Sequence, residues 1–286
     1  MRLLVTNDDG IESEGLHVLV DRLHRAGHEL LVVAPDRDWS GASSSLGRLN
    51  ADEHLDARRV EVPGCPEAEA WSLAGPPGMC VLAAVLEAFG PTPDLVVSGI
   101  NAGLNTGRAI LHSGTVGAVL TAQNFGLSGL AVSVQAVEPW QWQTAARLAA
   151  DTVSLAALAP PRSALNLNVP ALPRAEVRGV KWARLAPFGE VRAAVAGIHD
   201  GRVQFELVAT DDEFPPDSDE GLVREGWAAL TTLVGIAEAW PPDEGLEPTG
   251  PIAVADSIGP GAPLHSVHRV PDASAPRTLW RPKLGP

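Results

Sequence analysis

The sequence predicts an α/β fold: a doubly wound, mostly parallel sheet with a smaller, β-rich C-terminal part. Three observations predict it. The chain opens on an apolar β-type run, Leu3-Leu4-Val5-Thr6, passes through an amphipathic stretch, and returns to a second apolar run, Glu29 to Ala34. A β-α-β succession of this kind needs a crossover, and such crossovers build parallel sheets covered by helices. Two more apolar runs, Leu95-Val96-Val97 and Leu130 to Val134, alternate with helical patterns. Finally, a hydrophobic fraction of 45% with 20% charged residues is ample for a packed core.

Each element has its own warrant. Residues 2–6 read as the first strand, and Gly15 to Arg25 as a helix with Leu16, Leu19, Val20 and Leu23 on one stripe. Pro35 closes the second strand. Residues 57–73 read as a short hairpin around Pro63-Gly64. Gly75-Pro76-Pro77-Gly78 breaks the chain before a helix carrying Val81, Leu82, Val85, Leu86 and Phe89. Cys80, in its first turns, reads as a small core residue. The strand at 95–97 is expected to end at Ser98-Gly99-Ile100-Asn101. Trp140 to Leu158 reads as a helix, Ala164 to Val169 as a strand stopped by Pro170, and residues 176–234 as shorter strands and turns.

Three regions follow for the chain as a whole: 1–160 as a metal- and phosphate-binding core, 161–239 as C-terminal strands with an oligomerisation hairpin, and 240–286 as a proline-rich, irregular tail. The length of 286 residues allows one large domain or two ordinary ones. No apolar run approaches the roughly 18 residues needed to span a bilayer, and the N-terminus begins directly with a strand. The net charge of −14 argues against broad binding to DNA or anionic membranes. A small phosphorylated substrate stays compatible, because a local metal reverses the field at one site. Cys65 and Cys80 form neither a CxxC motif nor a disulfide framework. The expectation is a cytoplasmic, reduced protein.

The chemistry concentrates at strand ends. Asn7-Asp8-Asp9-Gly10 places two carboxylates where the first strand stops, and ligands of open α/β sheets sit beyond the carboxyl ends of strands. Neighbouring side chains on a strand face opposite ways, so both acids can serve one ion only if the chain turns, which Gly10 permits. By itself the pair fits either a hard-metal site or a strand end with an Asx turn or helix cap. The loop Asp36 to Ser45, with Ser40, follows the second strand and reads either as an anion or metal loop or as a serine-rich surface loop. After the strand at 95–97 come Asn101, Gly103, Asn105 and Gly107, then Ser113-Gly114-Thr115 opening a helix. A glycine loop and a helix N-terminus both favour anions, and Ser and Thr also serve as ordinary caps.

Convergence of these motifs from three strands of one sheet decides between the readings. Oxygen-only ligands suit Mg, Mn or Ca better than zinc, and a metal beside a phosphate-favouring loop fits phosphomonoester hydrolysis. No Walker spacing occurs, residues 7–15 lack G-x-G-x-x-G, and Ser40 makes no G-x-S-x-G elbow. A receiver-type switch would need an acceptor Asp where Ser98 stands. His17, His24 and His28 read as surface residues. His112, just before Ser113, either donates a proton to a leaving alkoxide or is a structural or solvated loop residue.

These motifs resemble the SurE survival-protein family of metal-dependent nucleotidases. The resemblance rests on residues 5–11, Ala34-Pro35-Asp36-Arg37 with Ser40 to Ser43, Ser98 to Gly103 with Asn105 and Gly107, and Ser113 to Val116. Asn166-Leu167-Asn168-Val169-Pro170 and Ser218-Asp219 extend it, to roughly residues 1–234. It implies a Rossmann-like core, a homodimer or homotetramer, and hydrolysis of nucleoside 5′-monophosphates. By the same resemblance Asp8, Asp9, Ser40 and Asn101 bind one divalent metal per subunit (Mg, Mn or Ca), with Asp8 and Asp9 catalytic. Asn101, Gly103, Asn105, Ser113, Gly114 and Thr115 would hold phosphate, and residues 186–215 correspond to a hairpin arm exchanged between subunits. The chain departs from the family's pattern at Pro76 to Cys80, at His112 in place of a common tyrosine, and at Thr121 in place of an acid. Those departures bear on substrate preference and subunit contacts. The alternative functions are a non-catalytic nucleotide- or phosphate-binding protein and a phosphatase of broader specificity, acting on 3′-nucleotides or polyphosphate.

Overall fold

Strand β1 (Arg2–Thr6) lies inside a nine-stranded sheet because it is apolar on both faces. Leu3 and Val5 enter one core cluster and Leu4 the other, all fully buried. A strand that is apolar at every position needs cover on both sides. Each fully buried Leu contributes about 1.5–3 kcal/mol relative to exposure. The computed structural model describes residues 1–48, 54–188, 191–199, 201–209 and 213–236. Residues 240–286, read above as an irregular tail, lie outside the described residues.

The chain continues through α1 (Glu14–Arg25), β2 (Glu29–Pro35), the β3 (Ala57–Val62) and β4 (Cys65–Leu73) hairpin, and α2 (Pro77–Val85). Then come β5 (Leu95–Ala102), a 3-10 helix (Gly107–His112), α3 (Gly114–Asn124), β6 (Ser128–Val134), α4 (Trp142–Leu158) and β7 (Ala164–Val169). The last elements are β8 (Val180–Trp182), β9 (Val191–His199), β10 (Arg202–Ala209), α5 (Asp219–Arg224) and β11 (Ala228–Leu233). The sheet order is β3-β4-β2-β1-β5-β6-β7-β11-β8, while β9 and β10 pair antiparallel as a separate two-stranded sheet.

From β4 to β7 all neighbours are parallel. Numbered among themselves by chain position, these strands run in the order 3-2-1-4-5-6 of doubly wound dinucleotide-type sheets. The direction of winding reverses between β1 and β5, which opens a crevice at their carboxyl ends. Helices α1 and α4 cover one face through Leu16, Leu19, Leu23, Leu148 and Val153. Helices α2 and α3 cover the other through Cys80, Val81, Ala118 and Ala122. Cys80 is a core residue, as expected, and burial pushes its thiol pKa well up.

The structure differs from the sequence expectation in three places. Strand β5 runs on to Ala102, with its register to β6 shifted between Ser98 and Asn101. Gly99, at φ +135°, carries the chain past this shift, and a Cβ there would lie 2.3 Å from the Val132 carbonyl oxygen. Helix α2 stops at Val85, and Phe89 reaches its core from the turn beyond. Helix α5 stands where only strands and turns are expected; at six residues it is too short to show a period. Ser218 caps it by accepting from the Gly221 amide at 3.1 Å.

Helix α1 approaches β5 so closely that a Cβ on Gly15 would lie 2.2 Å from the Ile100 carbonyl oxygen. Backbone on both sides leaves nothing flexible to yield. Gly15→Ala is therefore expected to cost about 2–4 kcal/mol of unfolding free energy. The measurement is a lowered urea midpoint at unchanged slope; an unchanged midpoint would contradict the close approach.

Candidate functional site

The crevice between β1 and β5 gathers the acids. Beyond β1 the chain turns at once: Asn7 Nδ2 donates to the Gly10 carbonyl at 2.9 Å and to Ser13 Oγ at 2.7 Å. Gly10, at φ +99°, makes the turn and lies against the Arg37 backbone, which a Cβ would meet at 3.1 Å. Asn7 thus supports the turn from behind, and Ser13 at the same time caps α1. The loop after β2 is drawn in by the Trp39 amide, which donates to the Asp8 carbonyl at 2.8 Å.

Asp8 is 3% exposed and meets the N-terminus of α3. The Thr115 hydroxyl donates to its Oδ1, and the same hydroxyl lies 3.1 Å from Asn101 Oδ1. One proton thus serves two acceptors, so Asp8 and Asn101 crowd a single hydroxyl. Gly114 is required here: a Cβ would sit 2.7 Å from the Asp8 Cβ. Burial raises the Asp8 pKa, opposed by the Thr115 hydroxyl and by the Thr115 and Gly114 amides. Asp9 is half-buried, and its pKa is pushed up to about 6 by burial first, then by the Asp8 and Asp38 charges, against the Ala102 amide.

Among the described residues no Lys, Arg or His pairs with Asp8 or Asp9. Two adjoining carboxylates without a cation, beside an amide oxygen, are the donor set of a hard divalent ion. The residues present therefore fit such an ion. Asp8, Asp9 and Asn101 meet at the crevice. Ser40 stands exposed next to Trp39, its amide donating to Asp38 Oδ1 at 2.7 Å.

The remaining predicted residues divide by what they touch. Ser113 caps α3, accepting from the Val116 amide at 3.1 Å. The amide of Gly103 donates to the carbonyls of Asn101 and Val134, both at 3.0 Å, and Asn101 Nδ2 returns a bond to the Gly103 carbonyl at 2.8 Å. Asn105 is gripped from three sides, through Asn168 Oδ1 on its amide, Ser133 Oγ on its side chain, and Asn166 and Asn168 Nδ2 on its carbonyl. The serine loop is anchored: Ser43 Oγ donates to the Leu111 carbonyl at 2.7 Å, and its amide to that of His112 at 3.3 Å. His112 is exposed at the end of the 3-10 helix. His24 is exposed, whereas His17 and His28 are half-buried, with His17 Nε2 2.8 Å from the Ile11 carbonyl.

Some supports escape a reading by motif. Asp38 adds a third carboxylate to the field on Asp9. Asp219 accepts from the amides of Gly107 at 2.9 Å and Ala186 at 2.8 Å, and Glu220 accepts from the Thr106 hydroxyl at 2.8 Å. Both acids are fully buried. Two signals were present in the chain: asparagines at period two in an apolar strand, which need buried partners, and paired acids directly after a capping serine.

A doubly wound α/β protein with an uncompensated acidic crevice at its switch point is the class that fold and site define. A family model described as Survival protein SurE matches residues 3–189, and the chain belongs to that family. It is 38% identical over 238 residues to the 5′-nucleotidase SurE of Gloeobacter violaceus, covering 82% of this chain and 89% of that protein. To the 5′-nucleotidase SurE of Xanthomonas campestris pv. campestris it is 42% identical over 189 residues, 65% of this chain and 70% of that one. The solved SurE protein from Aquifex aeolicus matches with a TM-score of 0.66 at 30% identity, over 82% of this chain and 93% of that chain.

Asp9→Asn removes a charge that the metal-free fold holds beside two others. It is expected to stabilise metal-free protein by roughly 1 kcal/mol, the like-charge effect being partly screened at a half-buried group. It is also expected to abolish the rise in Tm that a saturating divalent ion gives the unsubstituted chain, about 2.7 kcal/mol at a hundred times Kd. Thermal melts with chelator and with Mg or Mn measure both; a metal response retained by Asp9→Asn would remove Asp9 from the ligand set.

Proposed function

We propose that this protein is a divalent-metal-dependent 5′-nucleotidase, hydrolysing nucleoside 5′-monophosphates to nucleoside and phosphate. The observation that carries this reading is the meeting of Asp8, Asp9 and Asn101 at the crevice, where no basic side chain among the described residues pairs with the two acids. Its relatives named 5′-nucleotidase SurE support the same reaction. Asp8, Asp9, Asn101 and Ser40 would hold one divalent ion, Mg, Mn or Ca. Its chemistry there would be polarisation of a phosphoryl oxygen and activation of water at neutral pH.

The protein's own groups do the positioning. Thr115 holds Asp8 in one orientation, and Asn101 is held by its bond to Gly103. Asn101, Gly103, Ser113, Gly114 and Thr115 shape the phosphate side, with Asn105 securing that wall from behind. His112, exposed just before Ser113, is the candidate proton donor to the departing alkoxide. The free thiols of Cys65 and Cys80 fit a reducing cytoplasm. Among the described residues no helix is long and apolar enough to cross a membrane.

Phosphate release from a panel of nucleoside monophosphates, with Mn or Mg and then with chelator, tests the reaction. The expected result is metal-dependent release that falls about 10²–10⁴-fold in Asp8→Asn. No release with any metal, alongside retained nucleotide binding, would favour a binding protein instead.

The same reading includes a homodimer or homotetramer, in which β9 and β10 form the arm between subunits. Their pairing as a sheet apart from the main one supports this. Light scattering of the full chain should give a dimer or tetramer mass, and deletion of 191–209 should lower it. An unchanged mass would assign the contact elsewhere.

A further inference from the structure

We propose that His24, Cys65 and Glu67 form a second metal site, separate from the acidic crevice, that takes zinc or a similar borderline divalent cation. A nitrogen, a sulfur and an oxygen from these residues all lie within 4.8 Å of one another. Cys65 and Glu67 are two apart at the start of β4, where its pairing with β3 shifts register between Val60 and Val62. His24 comes from the last turn of α1. The site therefore joins the edge hairpin to the helix that covers the sheet. Because β4 runs parallel to β2, its first residues lie at the opposite end of the sheet from Asp8.

The donor set defines the ion. Thiolate and imidazole select zinc over Mg or Ca, and three protein ligands leave a fourth position for water. Zinc–ligand bonds of about 2.0–2.3 Å separate tetrahedral donors by roughly 3.5 Å. His24 and Glu67 are exposed and can close that gap, while Cys65 is fixed in the core. Two further features favour a cation there: the carbonyl end of α1, and Asp21, whose charge together with that of Glu67 bears on the thiol. Burial raises the Cys65 pKa in the metal-free protein, and coordination displaces the proton to solvent as the sulfur–metal bond forms.

The competing account is that Cys65 is only a small core residue. Cobalt titration of the full-length protein in reducing buffer decides between them. Asp8→Asn/Asp9→Asn is the background, so that the acidic crevice does not contribute. A thiolate-to-cobalt charge-transfer band is expected, saturating at one ion per chain and discharged by zinc. Cys80→Ser should keep the band and Cys65→Ser should lose it. Because Cys65→Ser can also unsettle the core, the exposed His24→Gln and Glu67→Gln provide independent arms. Each should weaken cobalt binding beyond the roughly 10- to 100-fold that losing an outer-shell partner costs. Absence of the band, or an equal band in Cys65→Ser, would overturn the site; unchanged affinity in both His24→Gln and Glu67→Gln would do the same.

Discussion

The seating of the Asp8 carboxylate against the N-terminus of α3 is the contact on which the crevice depends. Three sequence-distant segments are in place only if it forms. The first strand must stop just before Asp8, α3 must begin at a residue without a side chain so that Thr115 reaches the carboxylate with its hydroxyl, and the end of β5 must bring in Asn101. Asn101 joins through that same hydroxyl. Amides at a helix start favour a negative charge, so the fold offsets part of the cost of burying Asp8 before any ion binds. What remains is an acid whose pKa still lies above the ordinary value.

The winding reversal explains why this contact occurs where it does. Strands β1 and β5 are neighbours in the sheet but leave toward helices on opposite faces. Their ends therefore diverge and leave an opening. Gly15 lets α1 touch the Ile100 carbonyl, and Gly117 lets α3 touch the Ser43 carbonyl, where a Cβ would come within 2.1 Å. Close backbone approaches on both faces make the rim of the crevice stiff. The serine loop is consequently fastened at Ser43 although its composition is that of a mobile surface segment.

Behind the rim, polar groups are buried in pairs. Asn166 and Asn168 clamp Asn105, while Asp219 and Glu220 hold Gly107 and Thr106. A buried donor or acceptor left unpaired costs about 1–3 kcal/mol, so these contacts specify one conformation of the loop. They also pair the amides of Asn105 and Gly107 within the fold.

Local chemistry made much of this legible. Period and punctuation placed the β-α-β start, the hairpin around Pro63-Gly64 and the helix at Ser113, since these depend on residues near one another in the chain. Asp8, Asp9 and Asn101 were legible as oxygen donors at strand ends for the same reason. The tertiary structure alone decided the rest. Asp38 matters because a loop folds back beside Asp9, and the Asp219–Gly107 bond closes across more than a hundred residues. Helix α5 is too short for a period to announce it. His24, Cys65 and Glu67 carry no motif and meet only because a helix end and a strand start share one end of the sheet. Sequence by itself determined which residues could serve as ligands and where most of the strands lie. Tertiary structure decided which of them meet, because the pairing of distant segments depends on the closure of the whole sheet and its covering helices.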